Sequence, residues 1–298
     1  MILVVGATGQ LGGLIARTLL DHGKPVRILV RGGSSYDHLV TAGAEPVTGD
    51  LKDADSLPAC CTGVEAIVST ANSVGRGGDD TVESVDRHGN RNLIDAAAAA
   101  GVRHFVFTSV LGASPDSPVP FVRAKGETEQ RLQDSGMSWT VLQPDSYMDT
   151  WFPMVVGGPA LAGQSVTLVG EGQRRHSFVA MRDVTAYALA TLDQEAKGQT
   201  LLIGGPKPVS WWDVIAAFNQ ELGREVPVRT VQPGQPVPGL PDAVAQLLAI
   251  METYDSPIDS SELASAYGVT PTSLAEFVRG FLASNRHGLP SKGNSAAL

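Results

Sequence analysis

The opening of the chain constrains its fold more than any other stretch: an apolar run, Ile2-Leu3-Val4-Val5, passes directly into Gly6-Ala7-Thr8-Gly9-Gln10-Leu11-Gly12 and then into an amphipathic run from Leu11 to Leu20. The first run reads as a buried strand and the last as a helix, so the three glycines occupy a strand-to-helix turn. Gly6 permits the tight turn, Gly9 lets another group approach the backbone, and Gly12 lets the helix lie close to the sheet. The first amides of such a helix lack intrahelical acceptors and face negative charge, which suits a pyrophosphate. A tight connection with no ligand would explain the same glycines, but the order of elements that follows favours binding.

Short Val- and Ile-rich runs alternate with longer helical patterns through the first half, the pattern of a parallel α/β sheet. The predicted strands are Ile2–Val5, Val26–Val30, Glu45–Thr48, Ala66–Thr70, His104–Thr108 and Trp139–Leu142, with helices beginning near Gln10, Asp37, Ser56, Asp80 and Pro120. Six strands in this order predict a Rossmann-type doubly wound sheet. Gly23, Gly43, Gly63, Gly101 and Gly136 each close a helical pattern before a strand, where a left-handed cap is useful. Further on, the spacing predicts a helix over Val184–Leu192 opened by Asp183, a strand at Leu201–Ile203 returning to the sheet near 201–205, and helices over Trp211–Leu222, Ala243–Met251 and Leu274–Ala283. The expected organisation is a dinucleotide-binding domain over 1–150, a smaller helix-rich substrate lobe over 151–287, and a small, polar, disordered tail over 288–298. Four prolines between Gln232 and Pro241 mark an extended connection.

At 298 residues, 43% hydrophobic and 18% charged, the chain has the composition of a globular protein rather than a disordered or fibrous one. A net charge of -9 gives nucleic acid no general attraction. The two cysteines, Cys60 and Cys61, are adjacent, which disfavours an ordinary disulfide and offers no metal-ligand spacing, so no metal is expected. There is no secretory signal pattern and no apolar run near the ~20 residues of a membrane span, so a cytoplasmic protein without a membrane partner is expected.

Arg31 follows the second strand, 19 positions after Gly12. An NAD-selective site carries Asp or Glu near this point for the ribose 2′-hydroxyl, whereas a cation followed by Gly32, Gly33, Ser34 and Ser35 suits a 2′-phosphate. The expected cofactor is therefore NADP(H) in preference to NAD(H), with a solvated arginine as the plainer alternative. Gly6, Thr8, Gly9, Gln10, Leu11 and Gly12 are assigned to the pyrophosphate. Asp50 and Leu51 end the third strand, where the carboxylate suits an adenine amino group and the leucine its ring; helix capping by Asp50 is nearly as good an explanation. Thr70, Ala71 and Asn72, small residues at the end of the fourth strand, are expected to line the cofactor channel.

With Gly6-x-x-Gly9-x-x-Gly12, Arg31, Asp50-Leu51, Phe105-Val106-Phe107-Thr108-Ser109 and Lys125 in place, the chain resembles the atypical short-chain dehydrogenases/reductases, most of all the NmrA-like branch. That branch holds NADPH-dependent quinone, azo-dye and triphenylmethane reductases, phenylpropanoid reductases and redox-sensing regulators. Leu142-Gln143-Pro144-Asp145-Ser146-Tyr147-Met148 is similar to the family's turn beside the nicotinamide, Phe178 to Val184 to its late strand and helix start, and Gly204-Gly205-Pro206 with Val209-Ser210 to its final strand exit. The resemblance implies that Thr108, Lys125 and Pro144 border the nicotinamide half of the cofactor.

One departure bears on mechanism. Typical and extended members use Tyr-x-x-x-Lys, whose lysine lowers the phenol pKa for proton exchange with substrate. This chain has Phe121-Val122-Arg123-Ala124-Lys125, and phenylalanine has no proton to give. The companion serine of extended members would fall at Val110; Ser109 or Ser114 replaces it only if the loop bends differently. Lys125 is expected to reach the nicotinamide ribose hydroxyls, against the alternative of a solvated helix lysine paired with Glu129 at i+4. Tyr147 and His176 are the candidate proton donors or substrate contacts, and Tyr147, Trp151 and Phe152 form an aromatic cluster suited to a flat substrate; core packing explains all four nearly as well.

The expected activity is NADPH-dependent hydride transfer to an aromatic, quinone-like or conjugated small molecule, whose reduction asks little of an enzyme-held acid. One rival is a catalytically silent NADP(H)-binding redox sensor acting through a protein partner. Another is an isomerase or lyase on the same fold. A homodimer and a regulatory partner both stay open.

Overall fold

The structure, a computed structural model, describes residues 1–193 and 198–285; the tail expected over 288–298 lies outside the described residues. In chain order the elements are β1 (Ile2–Val5), α1 (Gln10–Asp21), β2 (Val26–Val30), α2 (Asp37–Thr41), β3 (Glu45–Thr48), α3 (Leu57–Cys61), β4 (Ala66–Ser69), α4 (Asn90–Ala99), β5 (His104–Thr108), α5 (Pro120–Gln133) and β6 (Ser138–Pro144). Then come α6 (Met148–Phe152), α7 (Gly158–Leu161), β7 (Val166–Val169), α8 (Met181–Asp193), β8 (Gln199–Ile203), α9 (Trp211–Leu222), β9 (Val228–Val231), α10 (Asp242–Met251), α11 (Ser261–Tyr267) and α12 (Leu274–Ser284). Val82–Gly89, just before α4, and Pro153–Gly157, just after α6, are π-helical.

The chain divides into two compact units. The first comprises Met1–Pro144, Met181–Ile203 and Ser261–Thr270; the second comprises Asp145–Ala180, Gly204–Ser260 and the described residues from Pro271 on. This division differs from boundaries at 150 and 287. β8 pairs with β6, α8 packs on α1, and α11 packs on α8, so these three later elements belong with the sheet.

The first unit holds a seven-stranded sheet in the order β3-β2-β1-β4-β5-β6-β8, parallel throughout. A parallel sheet covered on both faces needs strands that are apolar on both sides, and all four residues of β1 are buried. The edge strand β3 is mostly exposed, which is where Pro46, lacking an amide hydrogen, is tolerated. α1 buries Leu11, Gly12, Ile15, Ala16 and Leu19, one stripe at helical spacing. The five glycines that close helices before strands all have left-handed φ, from 68° to 106°. The strand order reverses between β1 and β4, so a cleft opens at their carboxyl ends.

The second unit packs α6, α7, α9, α10 and α12 with a two-stranded parallel ribbon, β7-β9. Its core is aromatic: Phe152 lies 4.9 Å from Phe178 and 5.5 Å from Phe277, and Phe178 lies 5.3 Å from Trp211, centroid to centroid. Both four-residue strands of the ribbon escaped the sequence reading. No helix among the described residues is long and apolar enough to cross a membrane.

Candidate functional site

The glycine turn connects β1 to α1. Gly6 has φ +89°, and its carbonyl accepts from the Gly9 amide at 2.9 Å. A Cβ on Gly6 would lie 2.6 Å from Thr70 Oγ1, and one on Gly12 would lie 2.2 Å from Gly6 O, so neither position has room for a side chain. Thr8, Gly9 and Gln10 are exposed on the rim. α1 has no side-chain cap at Gly9 and no acidic residue in its first turn, which leaves its positive pole available to an anion. This cradle fits a dinucleotide pyrophosphate.

The cleft continues from the turn. Val5, Gly6 and Thr8 line it together with Leu29, Arg31, Ser34, Asp50, Leu51, Ala71, Asn72, Arg76, Asp80 and Val85. Gly6, Thr8, Arg31, Asp50, Leu51, Ala71 and Asn72, all singled out from sequence, thus share one concavity. Thr70 packs behind Gly6, donating from its amide to Val5 O at 2.9 Å. Asn72 Nδ2 donates to Thr70 O at 3.2 Å, and its Oδ1 accepts from the Val74 amide at 2.9 Å, which shapes the channel floor. Asp50 Oδ1 accepts from the Lys52 amide at 2.9 Å, and Asn92 Nδ2 donates to Leu51 O at 2.9 Å, holding the adjoining loop in place.

Arg31 meets a partner that the sequence did not suggest. Its Nη1 and Nη2 donate to Asp80 Oδ1 and Oδ2 at 3.0 and 2.7 Å, a bidentate fork. Lys52 Nζ donates to Asp80 Oδ1 at 2.8 Å, Arg76 Nη1 lies 3.9 Å from Asp80 Oδ2, and Arg31 Nη1 lies 3.6 Å from Asp50 Oδ2. The hydrogen bonds from Arg31 and then Lys52 hold the Asp80 carboxyl well below the usual carboxylate range. The sequence reading placed Asp80 near a helix start; it sits in the loop before the π-helical segment and seals one wall of the cleft.

That segment itself has a tight contact. A Cβ on Gly89 would lie 2.9 Å from Leu51 Cβ and 3.1 Å from Ser84 O. Gly89→Ala is therefore expected to destabilise the fold by about 1–3 kcal/mol through overpacking, with the Leu51 end of the cleft distorted. Thermal melting checks this, and a wild-type Tm would show that the segment yields freely.

Lys125 does not project into solvent. Only 2% of it is exposed, its Nζ donates to Thr108 O at 3.0 Å, and the ammonium stands 4.6 Å from the Phe107 ring centroid and 5.6 Å from that of Phe121. The next residue, Gly126, lets α5 lie against the Ser114-Pro115 backbone, because a Cβ there would lie 2.3 Å from the Ser114 carbonyl carbon. Burial pushes the ammonium pKa down to about 8, against the opposing pull of the buried Asp86 and Glu129. The alternative of a solvated pair with Glu129 is not what forms. Glu129 instead accepts from the Ser109 hydroxyl and from Gln143 Nε2, the latter at 2.9 and 3.0 Å. Ser109 is thereby committed to Glu129, and burial raises the Glu129 pKa. Asp86 Oδ2 accepts from the Ser73 amide and hydroxyl, while Asp86 Oδ1 and Thr108 Oγ1 are buried without a hydrogen-bond partner among the described residues. Sequence reasoning missed Asp86, and it gave Glu129 only as a solvated partner and Gln143 no role of its own, because each sits on a helix or strand where a polar residue usually marks the solvent face.

The remaining candidates lie in the second unit. The Tyr147 hydroxyl is buried without a hydrogen-bond partner among the described residues, and burial pushes its pKa upward. Trp151 is half-buried, and its amide donates to Tyr147 O at 3.0 Å. Two expectations need correction. Phe152 is fully buried within the aromatic core, so packing accounts for it and it offers no open face to a substrate. His176 is also buried, with Nδ1 2.8 Å from Ser256 Oγ and Nε2 3.1 Å from Met251 O, so both ring nitrogens are engaged internally. Ser256 Oγ in turn donates to Asp145 Oδ2 at 2.7 Å. Among the described residues, no group of His, Cys, Asp and Glu could hold a metal ion.

Comparison with known proteins agrees with this geometry. An NAD(P)H azoreductase of Xenophilus azovorans is 34% identical over 232 residues, covering 78% of this chain and 76% of that one. The photosystem II assembly factor Ycf39 of Trieres chinensis is 30% identical over 237 residues, 77% of this chain and 72% of that one. The Escherichia coli NADPH-dependent quinone oxidoreductase QOR2, solved with NADPH, superposes with a TM-score of 0.76 at 25% identity over 95% of this chain and all of that one. The sequence pattern of the NmrA-like family matches residues 1–280, and with the doubly wound sheet and its glycine turn in place, the chain belongs to that family.

Proposed function

We propose that the protein is an NADPH-dependent reductase that passes hydride to a quinone-like, azo or otherwise conjugated small molecule. The observation that carries this reading is the single cleft joining the uncapped α1 turn to the cationic Arg31 end. The names of the azoreductase and quinone oxidoreductase relatives support it. Bound NADPH supplies the hydride from its nicotinamide ring. Gly6, Thr8, Gly9, Gln10, Leu11 and Gly12 hold the pyrophosphate, Leu51 packs against the adenine, and Arg31 binds the 2′-phosphate. Lys125, which has three donors of which Thr108 O takes one, orients the nicotinamide ribose from the interior. Thr108 and Pro144 border the same end.

Phe121 lies one turn before Lys125 on α5, and in our reading it stands where typical and extended short-chain dehydrogenases carry the tyrosine of Tyr-x-x-x-Lys. An acceptor that spreads the incoming electron pair over a conjugated system needs little from an enzyme-held acid, so the absent phenol is tolerated. Tyr147 is the residue we assign to hydrogen-bond the acceptor oxygen or nitrogen, with Trp151 beside it. Tyr147→Phe removes a hydroxyl that has no hydrogen-bond partner among the described residues, so the melting temperature should not fall. The value of kcat/KM should drop about tenfold, the worth of one hydrogen bond; an unchanged value would remove Tyr147 from the site.

The test of the activity is direct. Purified protein mixed with NADPH and a panel of quinones and azo dyes should consume the nicotinamide absorbance with matching loss of acceptor. Silence across the panel would favour a second reading, an NADP(H)-binding regulator or assembly factor acting through a protein partner, which the similarity to Ycf39 supports.

A further inference from the structure

Three cations, Arg31, Lys52 and Arg76, converge on one carboxylate, that of Asp80, whose side chain is only 9% exposed. Arg31, Arg76 and Asp80 all line the cleft that begins at the glycine turn. A carboxylate gripped by a guanidinium fork and an ammonium presents the same chemistry as a phosphate monoester held by those groups, so the cluster is an anion site filled by the chain's own side chain. We propose that Asp80 is a cofactor-specificity residue: it occupies the position of the ribose 2′-phosphate, and NADPH must displace it from Arg31, Lys52 and Arg76, whereas NADH need not. This rests on the dinucleotide reading given above and adds Lys52 and Arg76 to the phosphate site.

Charge decides the direction of the effect. With Asp80 and Asp50 both present, three cations already face two carboxylates, and a phosphate of about -2 would leave the cluster with excess negative charge. Once Asp80 is withdrawn, the same phosphate and Asp50 come close to balancing the three cations.

The backbone permits that withdrawal. Gly75, Gly77 and Gly78 all have left-handed φ, between 60° and 75°, in the stretch leading to Asp80. The ends of the stretch are fixed independently of Asp80. Ser73 is bound to Asp86 through its amide and hydroxyl, and Thr81 forms a reciprocal capping box with Ser84 at the start of the π-helical segment. Asp80 can therefore leave Arg31 without the adjoining elements coming apart.

The experiment is calorimetric titration of wild type and Asp80→Asn with adenosine 2′,5′-bisphosphate and with 5′-ADP. The variant should bind the bisphosphate about tenfold more tightly, because one competing charge is gone. Its affinity for 5′-ADP should stay within about twofold. If Asp80→Asn binds both nucleotides as wild type does, or loses bisphosphate affinity while keeping its thermal melt, the role of Asp80 is overturned and the dinucleotide site stands. If neither nucleotide binds to either protein, both the role and the site fall. Should Asp80→Asn melt early, Lys52→Met and Arg76→Met decide the matter. Each should lower bisphosphate affinity several-fold with 5′-ADP unchanged, and an unaltered ratio in both would overturn the proposal.

Discussion

Gly12→Ala is expected to weaken dinucleotide binding severely and to lower the stability of the fold at the same time. A Cβ at this position would sit 2.2 Å from Gly6 O, 2.6 Å from Gly6 C and 2.7 Å from Thr70 Oγ1. Two of those atoms are backbone, and the Gly6 peptide cannot retreat easily. Its carbonyl is held by the Gly9 amide, and Gly6 itself stands against Thr70 and Ala71. Overpacking of this kind costs about 1–3 kcal/mol. The turn must shift, and the α1 amides no longer converge on a bound phosphate. Hydrogen bonds to a charged group contribute about 1.5–3 kcal/mol each, so the loss of one or two weakens NADPH binding by about a hundredfold or more. Gly9→Ala separates the two effects. A Cβ there would be 3.3 Å from Gly6 O on an exposed rim, so the fold should stay near wild-type stability while the pyrophosphate is pushed away. Thermal melts and calorimetry read both outcomes, and wild-type NADPH affinity in Gly12→Ala would contradict the assignment of the turn.

The second large effect concerns Lys125. Lys125→Met should reduce NADPH affinity and turnover by about a hundredfold together, as expected for loss of a charge-assisted contact to the cofactor. The reason lies in what its burial costs. Lowering a lysine pKa from 10.5 to about 8 corresponds to a penalty on the order of 3 kcal/mol against the charged form. That cost is what is left after the pull of the buried Asp86 and Glu129 has offset part of the desolvation, while two aromatic rings and one carbonyl also face the ammonium. A side chain kept at such a cost in stability points to use rather than packing.

The pH dependence carries the sign. Below about 8 the ammonium is charged in the folded protein, and above it the amine is neutral although an unfolded chain would still be protonated. NADPH affinity should therefore be constant up to about pH 8 and fall above it, approaching a tenfold loss per pH unit. In Lys125→Arg the limb should move to higher pH, since a guanidinium keeps its charge. A flat profile through pH 9.5 in the wild type, or normal turnover in Lys125→Met, would make Lys125 a structural residue.

The sequence made the sheet legible because a parallel sheet leaves little choice. β1 is an unbroken apolar run, fully buried, and β2, β4 and β5 are buried but for one residue each and keep apolar cores, Ile28-Leu29-Val30, Ile67-Val68 and Phe105-Val106-Phe107. β6 runs longer than its apolar stretch suggests, from Ser138 to Pro144, because Gln143 turns inward to Glu129. The π-helical course of Val82–Gly89 was not legible, since its residues carry an ordinary helical pattern and a serine-type capping box. β7 and β9 were too short and too far apart in sequence to signal a pairing.

For the site, Arg31, Asp50 and Leu51 could be placed because strand ends must meet at the cleft. Lys52, Arg76 and Asp80 could not, because loops from different strands bring them together and no spacing encodes that meeting. Phe152 and His176 show the opposite limit. An aromatic residue near the expected nicotinamide turn has the same identity whether it faces a ligand or the core, and only their burial among Phe178, Trp211 and Ser256 decides between the two.

The most direct test of the whole account is a calorimetric titration of the wild-type protein with NADPH. Saturable binding at one site per chain, severely weakened in Gly12→Ala, is the predicted result. Absence of heat with both NADPH and NADH, in protein whose thermal melt is cooperative, would contradict it.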